Sequence, residues 1–72
     1  MGTVAVSGQN LFLFYSWWGD TPGARLAERQ GGSWSAITTV PDATTVVRVL
    51  AQGGRARLVY WSENTLLLRE QS

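Results

Sequence analysis

The sequence predicts an all-β fold made of antiparallel meanders of short strands, one meander complete at four strands and a second truncated. Three observations predict it. Apolar and polar residues alternate with a period of two over short segments, not with the 3.6-residue period of a helix. Clusters of glycine, asparagine and proline separate those segments. After Pro41-Asp42-Ala43, the order of segments found in the first part of the 72-residue chain starts again.

Thr3 to Ser7 alternates, with Val4 and Val6 on one face, and stops at the turn residues Gly8-Gln9-Asn10. Leu11 to Trp17 carries apolar residues on both faces, the pattern of a central strand covered on two sides. Gly19-Asp20-Thr21-Pro22-Gly23 breaks it. Arg25 to Gln30 is a more polar strand that turns at Gly31-Gly32. Residues 24–30 could make a helical turn in isolation, but the two glycines follow at once and no apolar stripe extends it. Ser33 to Val40 is the fourth strand, and simple alternation puts Trp34, Ala36 and Thr38 on one face. The second round reads Thr45 to Ala51, a turn at Gln52-Gly53-Gly54, Arg55 to Trp61, a turn at Ser62-Glu63-Asn64, and Thr65 to Glu70.

The two rounds echo each other. Leu13-Phe14-Tyr15 aligns with Val59-Tyr60-Trp61, and Leu26-Ala27-Glu28 with Leu68-Arg69-Glu70, at offsets of 46 and 42 residues. Propeller blades repeat at about 40 to 50 residues, so the expectation is a single domain with a first β-propeller-type blade over 1–42 and a partial second over 43–72. An SH3-like or OB barrel could use the same number of strands without a repeat and is the structural rival.

Composition bounds the rest. A chain this short buries only about 60% of the surface its unfolded state exposes. Cysteine is absent, so no disulfide or thiolate metal site can reinforce it. Six arginines face five acids, with lysine and histidine both missing. That balance gives no electrostatic reason to expect a nucleic acid or an anionic membrane. No basic stretch with an apolar core opens the chain and no apolar run approaches the ~20 residues of a membrane span, so a soluble protein without membrane insertion is expected.

Residues 3–18, TVAVSGQNLFLFYSWW, and 24–34, ARLAERQGGSW, resemble a repeat of the fucose-specific β-propeller lectins of fungi and bacteria. Tectonin-like propeller lectins are similar too. The resemblance implies a sugar held between adjacent blades by an arginine of the second strand, a glutamate of the third and an aromatic residue of a neighbouring blade. It places the glutamate at Glu28 and Glu70 and the tryptophan of the GSW motif at Trp34. Aligning the aromatic triplets puts Phe12 and Leu58 at the arginine position, with Arg57 one residue earlier on the opposite face; a shift of one residue would bring Arg57 into play. Glycans, fucosylated ones among them, are the implied ligands, and no cofactor is expected.

The chemistry stands without the resemblance. A pyranose has an apolar C–H face that packs on an aromatic ring, and paired hydroxyls that a carboxylate or guanidinium binds. Glu28, Trp34, Arg57, Trp61 and Glu70 are the candidate sugar-binding residues. Each also has a packing or surface reading. Trp34 and Trp61 could fill a core or an inter-blade contact, and Glu28 and Glu70 could pair with Arg29 and Arg69, a surface contact worth ~0–1 kcal/mol. Arg55 and Arg57 could guard an exposed edge. Trp17 and Trp18 point to opposite faces if the strand continues through both.

Enzyme readings fare badly: without histidine or cysteine the commonest general base, thiol nucleophile and soft metal ligands are missing. A carboxylate pair of Glu28 with Glu70 or Asp20 is formally open to glycoside hydrolysis. Gly31-Gly32 and Gly53-Gly54 match no phosphate-binding motif. Arginines and aromatics interleave over residues 55–61, a pattern that could stack single-stranded bases in a small barrel, against which the near-neutral charge argues. The remaining alternative is a non-catalytic structural or protein-interaction fragment. Two blades cannot close a ring, so a cyclic homo-oligomer is expected, most simply three chains, with a neighbour's first strand completing the second blade. Such a ring would present several weak sites at once.

Overall fold

A computed structural model of the chain describes residues 2–19 and 23–71, the side chain of Ala36 excepted. Asp20 and most of the predicted break between the second and third strands lie outside the described residues. The strands are β1 (Gly2–Ser7), β2 (Asn10–Trp17), β3 (Gly23–Gln30), β4 (Ser33–Val40), β5 (Thr45–Gln52), β6 (Arg55–Ser62) and β7 (Thr65–Glu70). They form two antiparallel meanders, a four-stranded sheet in the order β1-β2-β3-β4 and a three-stranded sheet in the order β5-β6-β7. The all-β expectation holds, and the predicted strands recur with their ends moved by no more than two residues.

Pairing register makes the internal repeat visible. Ala5, Phe12 and Glu28 lie abreast in the first sheet, as do Leu50, Arg57 and Glu70 in the second. One step along, Val4, Leu13 and Ala27 match Val49, Leu58 and Arg69. The offset is therefore 45 residues across the first two strands of each sheet and 42 across the third. The predicted offsets of 46 and 42 belong to different rows, since pairing joins 45 to 42 and 46 to 41. The third-strand offset is three residues shorter because five residues connect β2 to β3 and two connect β6 to β7. β5 carries a bulge between Val46 and Arg48.

A second bulge decides what β4 presents. Register shifts between Glu28 and Arg29, so that Arg29 faces Trp34 while Glu28 faces Ala36. The extra residue reverses the alternation. Trp34 and Thr38, expected on one face, lie on opposite ones: Trp34 sits with Leu13, Tyr15, Ala27 and Ile37, whereas Thr38 sits with Leu26 and Val40.

The sheets pack through one face each, called here their inner faces. Phe12, Phe14, Ala24, Leu26 and Val40 of the first sheet meet Val46, Val49, Ala56, Leu58 and Tyr60 of the second. Phe12, Phe14 and Tyr60 are completely or almost completely buried, and Phe14 meets Tyr60 edge to face, with ring centroids 6.0 Å apart. Full burial of each such side chain contributes about 1.5–3 kcal/mol. β1 and β5 form the closest seam and run the same way, since Thr3 Oγ1 accepts from the Val49 amide at 3.4 Å and Ser7 Oγ from the Gly54 amide at 3.0 Å. Asn10 Nδ2 donates to the Gly54 carbonyl at 3.3 Å. Gly54 has φ 75°, and a Cβ there would stand 3.3 Å from Asn10 Nδ2, so glycine permits both the turn and the tie to β1.

Candidate functional site

From the β1–β5 seam the sheets spread apart, and a cleft of about 280 Å³ opens between them on the side of β4 and β7. Leu26, Val40 and Leu58 form its apolar floor. Thr38 and Thr39 of β4 face Arg69 and Glu70 of β7 and Gln71 beyond it. The local sequence explains the placement. The β4 bulge turns Thr38 inward, and Gln71 extends the β7 pairing by one residue, its amide donating to the Ala56 carbonyl at 2.9 Å and its Oε1 accepting from the Ala56 amide at 2.9 Å.

Glu28 closes one end of this cleft. It is half-buried on the inner face, and its Oε1 accepts from Gln71 Nε2 at 3.2 Å, a contact that joins the two sheets. Asp42 anchors the other end: Tyr60 donates its hydroxyl to the two Asp42 oxygens at 3.1 and 3.3 Å, and Arg69 Nη1 stands 3.9 Å from Asp42 Oδ1. Acceptors, amide donors, hydroxyls and one guanidinium thus ring an apolar floor. Such a set suits a small ligand with paired hydroxyls on an apolar skeleton.

The five sequence candidates separate. Glu28 borders the cleft from the inner face of the first sheet, whereas Glu70 lies at the cleft's edge on β7 with its side chain on the outer face. Arg57 is the direct cross-strand partner of Glu70, on the exposed outer face of the second sheet. Arg57 pairs with Glu70 as Phe12 pairs with Glu28. Trp61 lies on that same outer face, four residues along β6, roughly 13 Å from Arg57 at strand rise. Trp34 is on the outer face of the first sheet. Neither tryptophan fills the core: Trp34 is 54% exposed and Trp61 39%.

Glu28 and Glu70 do not follow the adjacent-arginine pairing that charge alone suggested. Gln71 takes Glu28, and Arg69 turns to Asp42. Thr38, Thr39, Arg69 and Gln71 were not singled out from sequence. Only Gln71 left a signal, since at the 42-residue offset it follows Glu70 as Arg29 follows Glu28.

The outer face of the first sheet carries a shallow apolar groove of about 310 Å³, lined by Leu13, Tyr15, Ala27, Trp34 and Ile37. The Arg29 guanidinium lies 6.0 Å from the Trp34 ring, and that of Arg25 stacks 3.8 Å over Trp17. Trp18 falls just past the end of β2 and is 83% exposed. Among the described residues, no three acidic side chains come together to hold a metal ion. No protein family, curated protein or solved structure matches this chain.

Proposed function

We propose that the protein is a carbohydrate-binding module of β-propeller lectin type, with its two sheets as consecutive blades and the cleft between them as the sugar site. The observation that carries this reading is the cleft itself, in which Leu26, Val40 and Leu58 form a floor and Glu28, Thr38, Arg69 and Gln71 stand around it. A pyranose is amphiphilic in the same sense, with C–H groups for the floor and hydroxyls for the rim. The blade assignment is supported by the register repeat and by the fan-like divergence of the sheets from the β1–β5 seam.

In this reading the arginine and carboxylates, not a tryptophan, provide most of the recognition. A hydrogen bond to a charged group contributes about 1.5–3 kcal/mol. Glu28→Ala and Arg69→Ala should therefore each weaken sugar binding by roughly 10- to 100-fold. Trp34→Ala, on the outer face, should leave it unchanged. A glycan-array screen followed by titration of the best monosaccharide tests this. Binding that is lost with Trp34→Ala and kept with Arg69→Ala would move the site to the outer groove, and an array without any bound glycan would end the lectin reading.

A further inference from the structure

Glu28 depends on the other sheet for the orientation of its carboxylate. Its cross-strand neighbours are Phe12, which is fully buried, and Ala36, and among the described residues no side chain of the first sheet donates to it. Ser35 Oγ donates to the Glu28 carbonyl at 3.2 Å across the bulge, so the first sheet fixes the main chain here and leaves the side chain free. Gln71 supplies the missing contact from beyond β7, its Nε2 donating to Glu28 Oε1 at 3.2 Å.

Gln71 is itself held in one orientation. Its amide donates to the Ala56 carbonyl at 2.9 Å and its Oε1 accepts from the Ala56 amide at 2.9 Å, so backbone and side chain grip the same residue of β6. Those partners also fix which way the carboxamide faces. Turned over, it would set its NH2 against the Ala56 N–H and its oxygen against the Glu28 carboxylate, donor on donor and acceptor on acceptor. Each of the joined groups keeps one unused position. Gln71 Nε2 carries a second hydrogen, and Glu28 Oε2 has no partner among the described residues. Solvent reaches Oε2, since Arg25 Nε alone among the described residues is a buried side-chain polar atom without a partner. An acceptor and a donor therefore stand side by side at the end of the cleft that Gln71 lines.

We propose that Gln71 positions Glu28 and binds together with it, so that the pair reads two adjacent hydroxyls of one sugar ring: Glu28 Oε2 accepts from the first and Gln71 Nε2 donates to the second. This rests on the sugar reading of the cleft and narrows its ligand. A diequatorial or an axial–equatorial pair of hydroxyls presents neighbouring oxygens on one side of the ring. A diaxial pair points them in opposite directions and cannot meet both groups. Because the acceptor and the donor come from different sheets, the pair exists only at the sheet spacing that the Glu28–Gln71 contact spans. Gln71 is thus a positioning residue toward Glu28 and a specificity-determining one toward the sugar.

Calorimetric titration of the best monosaccharide from the glycan array, together with its series of single-deoxy analogues, tests the proposal. Two neighbouring hydroxyls should dominate the affinity of the unmodified chain, the one on the carboxylate by roughly 10- to 100-fold and the one on the amide by about 2- to 10-fold. Gln71→Leu should cost about tenfold on the parent sugar and on every analogue that keeps this pair. On the two analogues lacking one member of the pair it should cost at least about twofold less, because the contact it removes or disorders is already gone. Gln71→Glu keeps an acceptor for the Ala56 amide and loses the donor toward Glu28, so it should stay folded by circular dichroism and show the same pattern. Should Gln71→Leu unfold, the comparison in Gln71→Glu decides. A Gln71 that serves the fold alone would weaken parent and all analogues by one common factor, and that result would overturn the proposal. So would full affinity in both variants, or two essential hydroxyls that are not neighbours. In each of those cases sugar binding itself persists; an array without any bound glycan ends the sugar reading and this proposal with it.

Discussion

Leu58 and Leu13 occupy the same place in the two sheets, so truncating both measures what a covering sheet is worth. Leu58 is 4% exposed beneath the first sheet, while Leu13 is half-buried in an open groove. Leu58→Ala leaves a cavity among packed side chains and should cost about 2–5 kcal/mol. Leu13→Ala removes the same atoms where solvent fills the space, so only part of the transfer term is lost, about 1–2 kcal/mol. A domain of this length has a total stability of roughly 4–11 kcal/mol, so the first change consumes much of it and the second does not. Urea unfolding followed by tryptophan fluorescence gives the midpoints. At equal slope, Leu58→Ala should have the clearly lower midpoint; equal midpoints would refute the assignment of the two faces as covered and uncovered counterparts.

Tyr60→Phe removes the hydroxyl bonded to Asp42 and should lower stability by about 1.5–3 kcal/mol in the same assay. Ser7→Ala leaves the Gly54 amide without its acceptor, at a cost of about 1–3 kcal/mol; because Asn10 bonds the same glycine, the effects of Ser7→Ala and Asn10→Ala should not add. Glu63 holds φ 56° in the β6–β7 turn, a conformation costing a side-chain-bearing residue about 1–2 kcal/mol, so Glu63→Gly should raise the unfolding midpoint. On immobilised single-stranded DNA the chain should elute without salt-dependent retention; strong retention released by salt would favour the arginines and Trp61 of the second sheet's outer face as a nucleic-acid surface.

The candidate site was half legible. Glu28 and Glu70 stood out because the repeat and the lectin resemblance place a carboxylate in each third strand, and the side chain of Glu28 reaches the cleft while that of Glu70 lies on the outer face. Arg57 could be read onto either face, because a strand pattern with apolar residues on both sides does not say which side a neighbour covers. Thr38 and Thr39 were invisible. The inward orientation of Thr38 depends on the bulge between Glu28 and Arg29, a one-residue irregularity that no composition or period announces. Of the two readings of Trp34 and Trp61, a core position does not hold: both are exposed, as is Trp18, and phenylalanine and tyrosine fill the centre.

Local physics was enough to settle the strands, the turns and the existence of a repeat. Alternation at period two, Gly31-Gly32 and Gly53-Gly54 between strands, and the return of the segment order are properties of neighbours in the chain. Which face each sheet buries was decided only in three dimensions. Two bulges set the phase of the side chains, and the β1–β5 seam chose which counterparts were covered. Hence Val49, Leu58 and Tyr60 lie in the core while Val4, Leu13 and Tyr15, chemically alike and equivalent in register, face outward.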